Sequence, residues 1–419
     1  MSSRSQRPVS TRSAKTVFYS LALGAGVMRT FSVEFDIVAI NTGTIDAFAY
    51  GFLAQWTSFV ITFLVVAFLS FRKLMDGKRR ALGYRIDPDF DKLQLLPRKP
   101  MIYVIFAGVF AGISSVVYYV LAASSDASTV IPYGQLVIIY LLLGDLIAEK
   151  DTPTIIEIQS IVSILFGVLL VGATPGGFDA FTLLLVLGPL NISSAFLTYF
   201  QRKAKRFEIR PGLRVDSLNM RVWSLLVLNM VLSILSLPFL TPAAWDSMAT
   251  NFAPLSVMMV GSSLTAFFSI VMYVRALGRG SMAIVNSLSS ISVVLGIPVT
   301  LVGNLILPGA FGVLDADTFL WILKMIGITL VVIGVLALES SDVRSLVLIK
   351  VKSQTGDLLP HLFDIKGVET AAALAGTHDY LLTIKSRNLS KTRTLILKKI
   401  QMIPGIADIE TLVSIKTYR

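Results

Sequence analysis

The 419-residue chain contains no cysteine and only two histidines. Without a thiol there is no disulfide framework, no thiolate metal site and no cysteine nucleophile. Two histidines leave little for imidazole-based metal chemistry, so neither a metal, a cofactor nor a catalytic residue is expected, and the chain is not read as an enzyme. Charge is sparse as well: Asp, Glu, Lys and Arg make up 15% of the residues, against about 25% in soluble domains. Apolar residues fill the gap, at 54% hydrophobic with a mean hydropathy of +0.74. A soluble fold of this size cannot cover that much apolar surface. Yet Lys and Arg number 37 against 26 Asp and Glu, a net charge of +11. Apolar and basic together point to a multi-span membrane protein, with the lipid bilayer as its solvent and its cations on one side. A nucleic-acid binder would gather its cations on a polar domain with aromatics among them, and no nucleic-acid partner is expected.

A hydrocarbon core about 30 Å thick needs around 20 apolar residues at 1.5 Å each. Ten windows of that kind fall at 16–40, 46–71, 101–122, 127–147, 155–173, 179–201, 221–240, 253–275, 282–303 and 318–338. Residues 1–15 are polar and read as a short disordered tail. Loop charges test this register. One set holds Arg4, Arg7, Arg12 and Lys15, nine Lys or Arg between Arg72 and Lys99, Lys150, seven between Arg202 and Arg221, then Arg275 and Arg279. The other set holds no Lys or Arg, but Asp46, Asp126, Asp179, Asp246, Asp315 and Asp317. The partition predicts ten spans in the plasma membrane with both termini in the cytosol.

The run YVLAASSDASTVIP at 119–132 aligns with YVRALGRGSMAIVN at 273–286, a constant offset of 154. In each, a Tyr-Val helix end leads through a small-residue turn into an apolar helix. The first copy turns on the acidic side and the second on the basic side. Further on, FGVLLVG at 166–172 matches IGVLAL at 333–338. Two five-span halves of opposite orientation, 16–173 and 174–338, are the expected architecture of an inverted-repeat transporter, with its site near the midplane between them. The run TVIPYGQLVIIYLLLGDLIAEKDTPT (129–154), with SIVSILFGVLLVG after it, resembles the drug/metabolite transporter superfamily in its EamA-type ten-helix form. The shared pattern is small residues, a mid-helix Pro, then an acid entering the loop, here Asp145 or Glu149. Pro298 and IGITLVVIGVLAL match in the second half, but no acid follows Gly303. The resemblance implies transport without naming a cargo.

Composition shifts after Glu339. The last segment, 344–419, carries 12 Lys or Arg, 6 Asp or Glu and both histidines. SLVLIKVKS alternates as a strand, GDLLPHLFDIK reads as a helix, and GVETAAALAG as a strand turning through Gly376-Thr-His-Asp379 into YLLTIKS. SKTRTLILKKIQMI then reads as a helix and PGIADIETLVSIKTY as a last strand. The order βαββαβ predicts a small α+β ferredoxin-like domain behind the all-α membrane part. LIKVK, Gly367-Val368, AGTHDYLLTIK and IPGIADIETLVSIK resemble the ligand-binding domain of Lrp/AsnC-type regulators. The resemblance implies a homodimer and a small regulatory ligand, amino acids being the usual class, near Gly376, Thr377, His378, Asp379 and Tyr380.

Within the spans, Arg29 stands out. It lies about 20 Å into the first window, where a guanidinium costs about 2.5–3.5 kcal/mol unless paired or wet. Asp36 is seven residues on, on the same helix face, and Glu34 is offset. Either acid suits a proton or a cationic substrate group. Glu34 and Asp36 at headgroup level, with Arg29 snorkelling toward them, is the plainer alternative. Lys324 lies one to two turns inside the last span, where snorkelling toward Asp315 or Asp317 competes with a role in the pathway. Tyr133 and Gln135 follow Pro132 and sit beside freed backbone groups. Asn286 holds the repeat position of Pro132, and Gln55 and Asn191 complete the candidate pathway. Each of these is also an ordinary interhelical hydrogen-bonding residue. Asp87-Pro-Asp-Phe-Asp91 starts like a calcium loop, but Lys92 and Arg98 occupy positions where Gly and Glu are required. Gly108 and Gly112 have helix-packing spacing. These readings converge on a secondary transporter of a small polar metabolite, regulated by a ligand-sensing domain. The alternative is a membrane-anchored sensor without transport.

Overall fold

The computed structural model describes residues 11–43, 45–75, 78–123, 127–148, 155–171, 173, 180–312, 317–340, 343–352, 356–363, 365, 368–386 and 400–413. The helical part runs α1 (Thr11–Thr42), α2 (Ala47–Leu69), the hairpin β1 (Arg72–Met75) and β2 (Lys78–Ala81), α3 (Arg98–Ala122), α4 (Ala127–Gln135), α5 (Val137–Ala148) and α6 (Ile155–Val171). It continues with α7 (Ala180–Leu185), a π turn over Val186–Leu190, α8 (Asn191–Arg206), the hairpin β3 (Glu208–Arg210) and β4 (Leu213–Arg214), and α9 (Ser217–Ser236). It ends in α10 (Pro242–Leu277), α11 (Met282–Ser289), α12 (Ile291–Ile306) and α13 (Thr318–Ser340). Residues 11–15, expected in a disordered tail, are helical and belong to α1.

Seven stretches are long and apolar enough to cross a membrane: Ala47–Leu69, Arg98–Ala122, Phe181–Arg206, Ser217–Phe239, Pro242–Leu277, Met282–Ile306 and Thr318–Ala337. Val130–Asp145 and Ile158–Val171 are shorter apolar helices, and α1 interrupts its apolar run with Arg29, Glu34 and Asp36. Large apolar side chains point outward, among them Leu64, Phe68, Phe166, Ile234, Val257 and Leu305. Such a surface suits hydrocarbon rather than water, and helices suit it because their backbone groups are satisfied internally. The stretch Met282–Ile306 differs from the other six. It is 72% buried, against 22–39% for them, which puts it in the middle of the bundle.

Three expected spans are not continuous helices. The fourth breaks at Leu136 between α4 and α5, just after Pro132, which has no N–H to give and crowds the preceding turn. The sixth opens into the π turn, where Gly188 leaves helical backbone angles ahead of Pro189. The ninth breaks at Ser290 between α11 and α12. Leu136 and Ser290 are themselves 154 residues apart, the offset of the aligned motifs. Glycines let backbones meet. A Cβ on Gly108 would lie 2.6 Å from Val227 Cβ, and one on Gly112 2.7 Å from Val231 Cβ, so their four-residue spacing fits α3 against α9. A Cβ on Gly167 of α6 would lie 2.5 Å from the Gly327 carbonyl oxygen of α13, and one on Gly327 2.6 Å from that of Gly167. The two helices therefore cross reciprocally.

The loops on the Arg/Lys-rich side fold onto one another. Lys205 Nζ, at the end of α8, donates to Asp87 Oδ2 (2.9 Å), Asp89 Oδ2 (3.0 Å) and the Val215 carbonyl (2.8 Å). The Ser217 amide (2.8 Å) and hydroxyl also donate to Asp87. Asp216 caps α9 by accepting from the Asn219 amide (2.7 Å). Asn219 and Trp223 then donate to the carbonyls of Lys92 and Gln94, at 2.9 Å each. The 72–99 loop, whose nine cations enter the charge partition, is thus held by a buried ion pair as well.

In the C-terminal part, β5 (Val343–Val351), α14 (Leu359–Phe363), β6 (Val368–Ala373), β7 (Tyr380–Ser386) and β8 (Ile406–Val413) follow the expected order. The sheet is antiparallel in every described pairing, in the order β6-β7-β5-β8. Val347, Ile349, Leu362, Leu382, Ile384 and Ile400 form its core. The helix expected at 390–403 lies mostly outside the described residues.

Two loop carboxyls respond to pH in opposite senses. Burial opposes ionisation of Asp87, but the Lys205 ammonium and Ser217 outweigh it and hold its carboxyl below the usual range. Its contribution is present at neutral pH and is lost as pH falls through that lowered value. Burial pushes Asp216 up to about 6 despite its bonds to Asn219. Its contribution is complete below about pH 4, the unfolded value, and is lost as pH rises through about 6. Asp216→Asn is therefore expected to flatten the fall in melting temperature of detergent-solubilised protein between those two pH values. Lys205→Met, which strands two carboxylates, is expected to cost about 3–5 kcal/mol at neutral pH and less on mild acidification, read by the same melting curves.

Candidate functional site

The α11–α12 break lies against α1 and α4. Gly26 of α1 comes so close that a Cβ there would lie 2.4 Å from the Ser289 carbonyl oxygen. One turn on, the Thr30 hydroxyl lies 3.3 Å from the Ser292 carbonyl, to which it donates, and 3.2 Å from that of Gly26. Gln135, the last residue of α4, reaches the same place. Its Oε1 accepts from Asn286 Nδ2 (3.1 Å) and the Ser290 hydroxyl (3.2 Å), while its Nε2 donates to Ser292 Oγ (3.2 Å). Gln135, Asn286, Ser290 and Ser292 are all buried. The two breaks are thus joined by one amide that uses both its ends.

The backbone freed by the breaks is also satisfied. Asn191, buried at the start of α8, donates to the carbonyls of Tyr133 (2.9 Å) and Val186 (2.6 Å). Tyr140 donates to the Leu187 carbonyl in the π turn (2.7 Å). Asn191 and Tyr133 are therefore structural partners first: the side chain of one holds the carbonyl of the other. This is what a hydrocarbon setting demands of interrupted helices.

Arg29 enters from α1. Its Nη2 lies against Gly134, whose Cβ would be 2.7 Å away, so only glycine leaves the guanidinium this place over the α4–α5 break. Arg29 is half-buried, and among the described residues no carboxylate lies within 4.0 Å of it and no side chain or carbonyl accepts its hydrogen bonds. The expected snorkelling toward Glu34 and Asp36 does not occur. Those two acids do not sit at the rim either; both are buried, at 3% and 6% exposure.

Asp36 is enclosed by hydroxyls. Oδ1 accepts from Tyr50 of α2 (2.9 Å) and Ser262 of α10 (2.8 Å), and Oδ2 from Tyr118 of α3 (3.2 Å). One carboxylate ties four helices together. Glu34 Oε1 accepts from Thr300 of α12 (2.8 Å). Gln55 of α2 donates to the Tyr119 hydroxyl (3.0 Å), and its carbonyl accepts from Asn229 of α9 (2.9 Å). Lys324 is buried on α13 rather than extended to the surface, at 5% exposure, and Asp315 lies outside the described residues. Arg29, Gln135 and Asn286 thus converge. Asp36, Glu34 and Gln55 each tie α1 or α2 to neighbouring helices. Tyr50, Tyr118, Ser262, Thr300, Ser290 and Ser292 were not singled out in the sequence. Each is a hydroxyl within a largely apolar run, and only helix packing gathers them.

In the C-terminal part, Gly376, Thr377 and His378 form the exposed to half-buried turn between β6 and β7. His378 Nε2 lies 3.5 Å from Glu410 Oε2 of β8. Asp379 is a structural clamp: its amide donates to the Ile349 carbonyl (2.9 Å), and its Oδ2 accepts from the Val351 amide (2.6 Å). The Tyr380 hydroxyl donates to Asp357 Oδ1 (3.2 Å) and accepts from the Leu358 amide (3.2 Å). Of the five expected ligand residues, Gly376, Thr377 and Asp379 are exposed, and His378 and Tyr380 are half-buried. Among the described residues no group of three or more His, Asp or Glu could hold a metal ion. Glu149 and Asp126 lie outside the described residues.

Residues 345–419 match the family model of the Lrp/AsnC ligand binding domain. No EamA family model matches the helical part. No curated protein matches the chain. Among 26 solved chains that match, a structure described only as "Crystal structure of protein" superposes with a TM-score of 0.52 at 14% identity, over 76% of this chain and 95% of its own. A share that large extends well beyond the C-terminal domain, so the helical fold is what is shared.

The Asp36 cage carries a stability consequence. Asp36→Ala leaves three hydroxyls without their acceptor, and is expected to cost about 3 kcal/mol or more. Asp36→Asn keeps an accepting oxygen and should cost less. Melting of the solubilised protein reads both.

Proposed function

We propose that this chain is a secondary transporter of a small, polar, carboxylate-bearing metabolite, of which amino acids are the leading class, working by alternating access. In this reading ten spans form two inverted five-span halves. One observation carries it: two helix breaks 154 residues apart meet at one buried polar cluster, beside an arginine that has no protein acceptor among the described residues. Interrupted helices facing each other near the bilayer midplane are the usual construction of a transport site. The reciprocal crossing at Gly167 and Gly327 supports the same symmetry, because corresponding helices of inverted halves meet in that way. Arg29 offers the fork of donors that a carboxylate matches, and an intramembrane ionisable group marks a pathway by default. The resemblance to drug/metabolite transporters rests on the motifs given above.

The C-terminal domain, with strand order β6-β7-β5-β8, suits a ferredoxin-like regulatory module that dimerises and senses a small ligand, plausibly related to the cargo. To regulate, that ligand must bind differently in two transporter states. The charge partition supports cytosolic termini and a plasma-membrane location.

Counterflow of a labelled amino-acid mixture into proteoliposomes preloaded with the unlabelled mixture tests the reading. Exchange is expected in the parent, with at least tenfold loss of kcat/KM in Arg29→Ala and partial recovery in Arg29→Lys. Deleting 344–419 should leave basal exchange and abolish its response to added amino acid. No exchange, with ligand still bound by the C-terminal domain, would mean a sensor without transport.

A further inference from the structure

On the side of the Arg/Lys-rich loops, a pocket of about 340 Å³ opens between the 87–89 segment, the end of α8, the β3–β4 hairpin and the end of α10. Its lining carries four cations, Lys205, Arg214, Arg275 and Arg279, against three carboxylates, Asp87, Asp89 and Glu208. Lys205 spends its three donors on Asp87, Asp89 and the Val215 carbonyl. Arg214 Nε stands 3.8 Å from Glu208 Oε1. Arg275 and Arg279, one helical turn apart at the end of α10, line the same pocket. Among the described residues neither has a carboxylate within 4.0 Å or a hydrogen-bond acceptor for its guanidinium.

The plain account of these arginines is that cations favour a helix C-terminus and the basic side of a membrane. That explains their presence. It leaves two like charges, which repel, four residues apart on one pocket. Arg275 is half-buried and Arg279 exposed, so one sits within the pocket wall and the other at its rim. Gly212 keeps the hairpin side bare: a Cβ there would meet no atom within 4 Å. Lys205 offsets one of the two charges of Asp87 and Asp89, and Arg275, which both acids attract, helps to offset the other.

We propose that this pocket binds a phosphate group, held by Arg275 and Arg279 with Arg214 at the opposite wall. Two planar guanidinium forks suit a tetrahedral anion of two charges better than a single carboxylate, which one fork already saturates. The volume leaves room for an ester substituent beyond the phosphate itself. That substituent distinguishes two sources, a soluble phosphate or the headgroup of an anionic lipid, and both present the same chemistry to the arginines. The site lies apart from the Arg29 cluster and does not depend on the transport reading.

The test uses the full chain in neutral detergent. Its melting temperature is followed with inorganic phosphate against chloride of equal ionic strength, and separately in micelles containing phosphatidylglycerol against phosphatidylcholine. A rise of several degrees in the parent, absent from the R275Q/R279Q double variant, is expected. Phosphate alone raising it assigns a soluble ligand, and phosphatidylglycerol alone a lipid. R279Q changes only an exposed side chain and should keep the parent's baseline melting while weakening the response severalfold, which guards against misfolding of the double variant. No rise with either probe, or an equal rise in R279Q and the parent, overturns the proposal.

Discussion

Inside hydrocarbon a backbone carbonyl or amide that leaves its helix must find its partner within the protein, because no water is there to take it. Much of the bundle's centre follows from that constraint. Two interrupted helices and a π turn lie close together, and each places carbonyls in need of donors. Asn191 serves Tyr133 and Val186, Tyr140 serves Leu187, and Gln135 links the two breaks. These side chains are polar because the backbone beside them is broken. The breaks also keep the region from closing into a plain helical core, leaving places where a guanidinium can lie. Polar composition at the centre is thus first a consequence of backbone geometry, and only then a resource for binding.

The same logic explains why α1 tolerates three charges. Asp36 is held by hydroxyls from three other helices, and Glu34 by Thr300. Charge-assisted bonds of this kind offset part of the desolvation that a buried carboxylate costs. Each hydroxyl costs its own helix little, since Ser and Thr can otherwise bond to the preceding turn. Distributed over α2, α3, α10 and α12, these donors hold α1 along much of its length. The helix with the most charge is therefore bonded through its acids to four others.

Much of this organisation was legible before any coordinate. Hydropathy placed the helices, because the bilayer imposes one length and one composition on all of them. Period-2 alternation placed β5 to β8, and Gly376-Thr-His-Asp379 marked the turn that β6 and β7 share. The break after Pro132 announced itself through proline's missing N–H. The break at Ser290 did not, since Pro298 lies eight residues later; only the 154-residue offset pointed to it. The hydroxyl cage around Asp36 was illegible for a different reason. Tyr50, Tyr118 and Ser262 are separated by long stretches of chain, and which faces meet is decided by close approaches such as Gly51 against the Tyr119 ring. Asp87 and Asp89 were misleading locally. Their spacing suggests a cation loop, and they do hold a cation, but it is Lys205, 118 residues beyond Asp87.

Arg29 and Asp36 show what burial alone cannot say about a charged residue. They lie on one helix, two turns apart, and both face inward. Yet Asp36 has three donors on two oxygens, whereas Arg29 has five N–H donors and no described protein acceptor. A ligand competing for Asp36 would have to displace hydroxyls that already fit, and would gain only the difference between old and new bonds. Among the described residues Arg29 has no such hydrogen bonds to give up. Gly134 reinforces the asymmetry, because any side chain there would occupy the guanidinium's place. The helix thus separates two roles in charge and in distance. Asp36 ties the bundle, and in the proposed function Arg29 serves the anionic end of the cargo.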